Sequence, residues 1–130
     1  MLIERQNAYH CLKEKVALFP VVSLLGPRQC GKTTLVKSFL KTVSQPYHFF
    51  DCEDPRDSQK LQNPMLILEP LEGIIMIDEI QLMPDIFAVL RVLVDQKKER
   101  TFIILGSASD VLVTHSAETL AGRVGWVGFG

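Results

Sequence analysis

Gly26-Pro27-Arg28-Gln29-Cys30-Gly31-Lys32-Thr33 fits the pattern GxxxxGK[ST]. It lies directly between an apolar run, Val21-Val22-Ser23-Leu24-Leu25, and a stretch with Leu35, Val36, Phe39, Leu40 and Val43 at helical spacing. A strand that passes through a glycine-bearing loop into a helix is the setting in which this pattern holds phosphate. The glycines let the backbone turn tightly and place successive N–H groups around phosphate oxygens, at a helix N-terminus that already favours negative charge. Lys32 is expected to bridge the β- and γ-phosphates, Thr33 to join a magnesium shell, and Thr34 to hydrogen-bond the α-phosphate. Without those flanks, Gly26-Pro27 would be a turn and Gly31-Lys32 an ordinary helix start. Lys32 is expected to project from that helix start rather than into the core.

The remaining chain alternates in the same way. Ala8, Tyr9, Leu12, Val16 and Phe19 recur at spacings of three and four, which predicts a helix stopped by Pro20. Tyr47 to Phe50 reads as a strand, and the polar stretch from Asp51 to Lys60 turns through Pro55 into a short helix. Ile74 to Ile77 is apolar throughout, as a strand covered on both faces is. Pro84 opens a helix with the stripe Ile86, Val89, Leu90, Leu93 and Val94, and Thr101 to Leu105 is a further strand. Strands alternating with helices predict an α/β fold with a parallel sheet, whose ligands bind at the carboxyl ends of the strands.

The strand at Ile74-Ile75-Met76-Ile77 ends on Asp78-Glu79, the Walker B pattern. Asp78 is expected to hold magnesium, through water, and Glu79 to act as general base on the attacking water. Taken alone, the same pair would serve equally well in a first helical turn. The chain between Lys32 and Asp78 has room for a helix, a strand and another helix, which favours an ATP hydrolase over a small-molecule kinase. Ser107, after the Thr101 to Leu105 strand, is the candidate polar sensor of the γ-phosphate or the attacking water; its plainer reading is a Gly-Ser turn.

With 130 residues, net charge −1 and 47% hydrophobic residues, the chain is one globular domain's worth rather than a disordered or basic nucleic-acid-coating segment. Its 3 cysteines, Cys11, Cys30 and Cys52, are odd in number and show no metal or disulfide spacing. Together with the missing signal peptide and membrane span, they predict a cytoplasmic protein. Cys30 reads as a small residue filling a tight loop; a redox switch is the alternative, because Lys32 and the helix start would lower its thiol pKa. His10, His48 and His115 have no metal-ligand spacing, and Cys11 reads as core.

Phe19-Pro20-Val21-Val22, the Gly26 to Thr34 loop, Ile77-Asp78-Glu79-Ile80-Gln81, Leu105-Gly106-Ser107-Ala108-Ser109 and Leu120-Ala121-Gly122-Arg123 occur in an order that resembles a family of prokaryotic AAA+ ATPases. Those proteins join an N-terminal AAA domain to a C-terminal domain of the DUF4143 type. The resemblance implies a three-layer α/β/α P-loop NTPase core of the AAA+/ASCE kind, strand order 5-1-4-3-2. This chain would be the N-terminal AAA core, residues 1–130, of a longer protein. It implies ATP and magnesium as ligands, Lys32, Thr33, Asp78, Glu79 and Ser107 as site residues, and Arg123 as an arginine finger offered to a neighbouring subunit.

The family continues past Arg123 with a strand, a helical lid and a second domain, so the last strand and the lid are expected to be truncated at Gly130. Trp126 and Phe129 would then leave a self-associating sheet edge, and nucleotide binding should survive better than hydrolysis. Two other readings compete. Asp78-Glu79-Ile80-Gln81 also fits the DExQ box of helicases, with Gln81 sensing nucleotide, although no second lobe or strand-binding track accompanies it. The other is a nucleotide-gated module that binds an unknown protein partner without turnover.

Overall fold

Strands that are apolar at every position need cover on both faces, and the central strands here divide their side chains between two cores. In the computed structural model, which describes residues 2–26, 31–96, 99–107 and 118–128, Ile75 and Ile77 face one core and Ile74 and Met76 the other. Phe102 and Ile104 alternate with Ile103 and Leu105 in the same way, and Val21 with Val22.

The elements follow the order α1 (Leu2–Leu18), β1 (Val21–Gly26), α2 (Lys32–Leu40), β2 (Tyr47–Asp51), α3 (Pro55–Lys60), α4 (Pro64–Leu68), β3 (Gly73–Asp78), α5 (Ile86–Val94), β4 (Arg100–Ser107) and β5 (Val124–Gly128). Short 3-10 turns cover Ile80–Leu82 and Glu118–Leu120. The five-stranded sheet runs β2-β3-β4-β1-β5 with every neighbouring pair parallel. Read from the other edge this is 5-1-4-3-2, the order the resemblance implies.

Helices α1 and α2 cover one face, through Ala8 and Leu12 and through Leu35, Val36, Phe39 and Leu40. Helices α3 to α5 cover the other, with Leu61, Leu68, Phe87, Leu90 and Leu93 fully buried or nearly so. That completes the α/β/α layering.

The structure corrects the expected boundaries in three places. The last strand forms: Val124–Gly128 pairs with β1 from Val21↔Val124 to Leu25↔Gly128. Its cross-strand hydrogen bonds come from β1, which is already anchored on its other side by β4. Helix α1 starts well before Ala8, and α4 has no counterpart in the sequence reading. On β5, Trp126 is exposed, as expected of the sheet edge.

Arg100 ties α4 and α5 to the start of β4. Its guanidinium donates to the carbonyls of Glu69 at 2.6 Å and Leu93 at 3.3 Å and to Oε1 of Gln96 at 2.6 Å. Burial lowers its pKa from the usual guanidinium value, and these acceptors engage both Nη atoms at the ends of the two helices while Nε is left without a hydrogen-bond partner.

Candidate functional site

Parallel strands deliver all their last residues to one edge. Here that edge carries Gly26, Asp51, Asp78 and Ser107, with Gly26 in register with Ser107 and Asp51 with Asp78. Gly31 enters α2 in the left-handed conformation, φ 91° and ψ 14°, which a residue with a Cβ adopts only at a cost. Residues 27–30 lie outside the described residues, so the expectations for Pro27, Arg28, Gln29 and Cys30 are not placed.

Lys32 is more buried than its motif suggests, 6% exposed. Its Nζ reaches back across the loop and donates to the Gly26 carbonyl at 2.7 Å. The ammonium thus stays on the loop side of the helix start, buried but hydrogen-bonded. Thr34 is exposed beside it.

Thr33 and Asp78 meet directly. The Thr33 hydroxyl donates to Oδ2 of Asp78 at 2.7 Å, and the Glu79 backbone N–H donates to Oδ1 at 2.9 Å. Both carboxylate oxygens are therefore fixed. Burial pushes the Asp78 carboxyl above its ordinary value, the Glu79 charge adds to that, and the Thr33 hydrogen bond opposes it. A hydroxyl and a carboxylate beside a buried negative charge form a hard-oxygen donor set, which suits magnesium. No group of three or more His, Cys, Asp or Glu able to hold a metal occurs among the described residues. An ion here would complete its shell with water and phosphate oxygens, as magnesium commonly does.

Glu79 is the only described non-glycine residue with positive φ, at 54° with ψ 44°. This left-handed turn follows directly from the strand, and such a conformation costs roughly 1–2 kcal/mol. It brings the Gln81 side chain back onto Glu79, where Nε2 donates to Oε2 at 2.7 Å. The sequence reading treated Gln81 only as a helicase-type sensor and missed this pairing. Spacing alone does not reveal it, because side chains two apart do not face each other on a regular helix.

Cys52 follows β2 and donates its backbone N–H to the Asp78 carbonyl at 3.0 Å. Burial pushes its thiol up from 9.0 to about 12, helped by the charges of Asp51, Asp78, Asp57 and Glu79. The sequence gives no functional signal at Cys52, and a protonated, buried thiol agrees with that.

Ser107 ends β4 at the same sheet edge, in register with Gly26, and its side chain lies outside the described residues. Arg123 is not gathered into the cluster. Arg123 precedes β5, and its carbonyl accepts from the Val21 N–H at 3.3 Å, which places it at the opposite edge of the sheet from Gly26. Its guanidinium pairs with Asp95, Nε to Oδ1 at 2.9 Å and Nη2 to Oδ2 at 3.3 Å. That hydrogen bond holds the Asp95 carboxyl below the usual range and raises the Arg123 guanidinium.

A family profile described as an AAA domain matches residues 18–128. The chain belongs to this AAA domain family. Two mycobacterial relatives of this AAA domain, the uncharacterized proteins Mb2031c of Mycobacterium bovis and Rv2008c of Mycobacterium tuberculosis, are each 53% identical to it over 125 residues. The match covers 95% of this AAA domain but only 28% of either relative's length. Among solved structures, the Walker-type ATPase PABY2304 of Pyrococcus abyssi superposes with a TM-score of 0.72 at 19% identity, over 96% of this chain and 53% of that one. That likeness shows that the AAA domain has the P-loop α/β fold. No helix among its described residues is long and apolar enough to cross a membrane.

Proposed function

We propose that this AAA domain binds ATP with magnesium and hydrolyses it to ADP and phosphate. The observation that carries the reading is the 2.7 Å hydrogen bond from Thr33 to Asp78, which joins the phosphate-loop helix to the acidic strand tip. On nucleotide entry Lys32 exchanges its bond to the Gly26 carbonyl for the β- and γ-phosphate oxygens. The hydroxyl of Thr33 and, through water, the carboxylate of Asp78 would hold the magnesium ion. When bound, that ion neutralises charge on the phosphate oxygens.

Glu79 takes a proton from the attacking water, whose oxygen bonds to the γ-phosphorus as the bond to the β–γ bridging oxygen breaks and ADP leaves. Ser107, from the neighbouring strand tip, is proposed as the polar sensor. Arg123, at the far edge and paired with Asp95, is proposed to act on a neighbouring copy. Turnover by one chain alone is therefore proposed to be slow beside its nucleotide binding. The support for a DUF4143-type second domain is the resemblance at Gly106 to Ser109 together with Leu120 to Arg123, and the support for a cytoplasmic setting is the free thiols of Cys11 and Cys52.

Glu79→Gln tests the reaction. It should keep magnesium-ATP affinity and lose turnover by on the order of 10²–10⁴-fold. Unchanged turnover would remove Glu79 from the chemistry. Nucleotide binding without turnover in the wild type, with a partner response that Glu79→Gln preserves, would favour the nucleotide-gated partner module instead.

A further inference from the structure

We propose that Gln81 is a positioning residue for the reaction, its side-chain amide fixing the carboxylate of Glu79. The inference rests on the ATP-hydrolysis reading above and assigns Gln81 a role different from nucleotide sensing.

Three observations converge on it. The amide donates from Nε2 to Oε2 of Glu79 at 2.7 Å, a short bond to an ionised acceptor. Glu79 is held in the left-handed conformation that makes this contact between residues two apart reachable. The amide's other end, Oε1 of Gln81, is buried without a hydrogen-bond partner. A buried acceptor left unmade is costly, and nothing else among the described contacts orients this amide. Turning the amide over would set Oε1 against the Glu79 carboxylate, so the charge of Glu79 fixes which end faces it.

The chemistry of the donor matters. A lysine or arginine here would place a full positive charge on the carboxylate and weaken it as a base. A neutral amide engages Oε2 alone and leaves Oε1 of Glu79 for the water. Freezing the carboxylate in that orientation removes unproductive rotamers before the proton moves. Ile80 anchors the arrangement: it is fully buried at the start of the 3-10 turn, between the two partners.

The test uses the full chain. Gln81→Met removes the amide at nearly constant length, with Gln81→Asn, which withdraws the amide by one methylene, as the second variant if the first does not fold. Turnover should fall by on the order of 10–100-fold, the worth of one hydrogen bond to a charged group, with magnesium-ATP affinity within about twofold. In a Glu79→Gln background the same substitution should cause no further loss, because a residue acting only through Glu79 has nothing left to position. Additive losses, or a matching loss of affinity, would overturn the proposal in favour of a structural role.

A second readout does not depend on turnover. One side-chain amide proton of Gln81 should be protected from exchange in the nucleotide-free protein and lose that protection in Glu79→Ala. Exchange at the rate of a free amide in the wild type would overturn the proposal. Absence of ATP binding and turnover in the wild type, with the proton protected, would overturn the hydrolysis reading and leave the pairing standing.

Discussion

Thr33 and Asp78, on separate elements and 45 positions apart, share a hydrogen bond of 2.7 Å. It connects the first turn of α2 to the last residue of β3, and Asp78 is 7% exposed. Thr33→Val keeps the shape and removes the hydroxyl, leaving a buried carboxylate oxygen with one partner fewer. Stability should fall by about 1–3 kcal/mol, and the gain in ATP affinity from added magnesium should shrink sharply. Denaturant unfolding and calorimetry with and without magnesium check the two effects separately.

Glu79 stores backbone strain at the point where the chemistry is proposed. Glu79→Gly relieves the left-handed conformation at φ 54° and should raise unfolding free energy by about 1 kcal/mol while abolishing turnover. A variant that is less stable than the wild type would show that the Glu79 side chain contributes more to the fold than its conformation costs.

Cys52 gives a pH signature. Its thiol is pushed up from 9.0 to about 12, so the native state keeps the proton over an interval in which the unfolded chain releases it. The unfolded state then binds fewer protons, and stability should fall as pH rises from 9.0 towards 12. Cys52→Ala should lack that slope. Iodoacetamide at pH 8 should modify the half-buried Cys11 well before Cys52, which mass spectrometry of the digested protein reads directly.

Gly73 opens β3 where a side chain has no room. Its φ is +87°, and a Cβ there would collide with the Pro46 carbonyl oxygen. That same oxygen accepts from the Ile74 N–H at 2.9 Å, so moving it also disturbs the entry of β2 into its pairing with β3. Gly73→Ala should cost about 2–4 kcal/mol, measured by denaturant unfolding, with nucleotide contacts untouched in the fraction that folds.

What the sequence discloses about this molecule is what short-range patterns encode. The phosphate loop and the Ile74 to Glu79 segment are contiguous, and their apolar flanks identify β1, α2 and β3 because a doubly covered strand must be apolar throughout. The parallel sheet follows from the alternation of strands and helices. By contrast α4, only five residues from Pro64 to Leu68, is too short to show a helical period. The burial of Arg100 depends on carbonyls that α4 and α5 bring to it from elsewhere in the chain. The pairing of Gln81 with Glu79 needs a left-handed residue that no propensity assigns to glutamate. Placing Arg123 at the edge remote from Gly26 requires the β1–β5 register, a long-range fact.

Lys32 is where the nucleotide reading is most exposed to refutation. Its buried Nζ is paired with a loop carbonyl, and an alanine in its place leaves no charge behind, so Lys32→Ala should remain folded. The decisive measurement is a calorimetric titration of magnesium-ATP, with magnesium-GTP alongside, into the wild type and Lys32→Ala, both verified as folded by circular dichroism. Saturable ATP binding by the wild type, lost in Lys32→Ala, is the predicted result; equal ATP binding by both proteins, or none by the folded wild type, would contradict it.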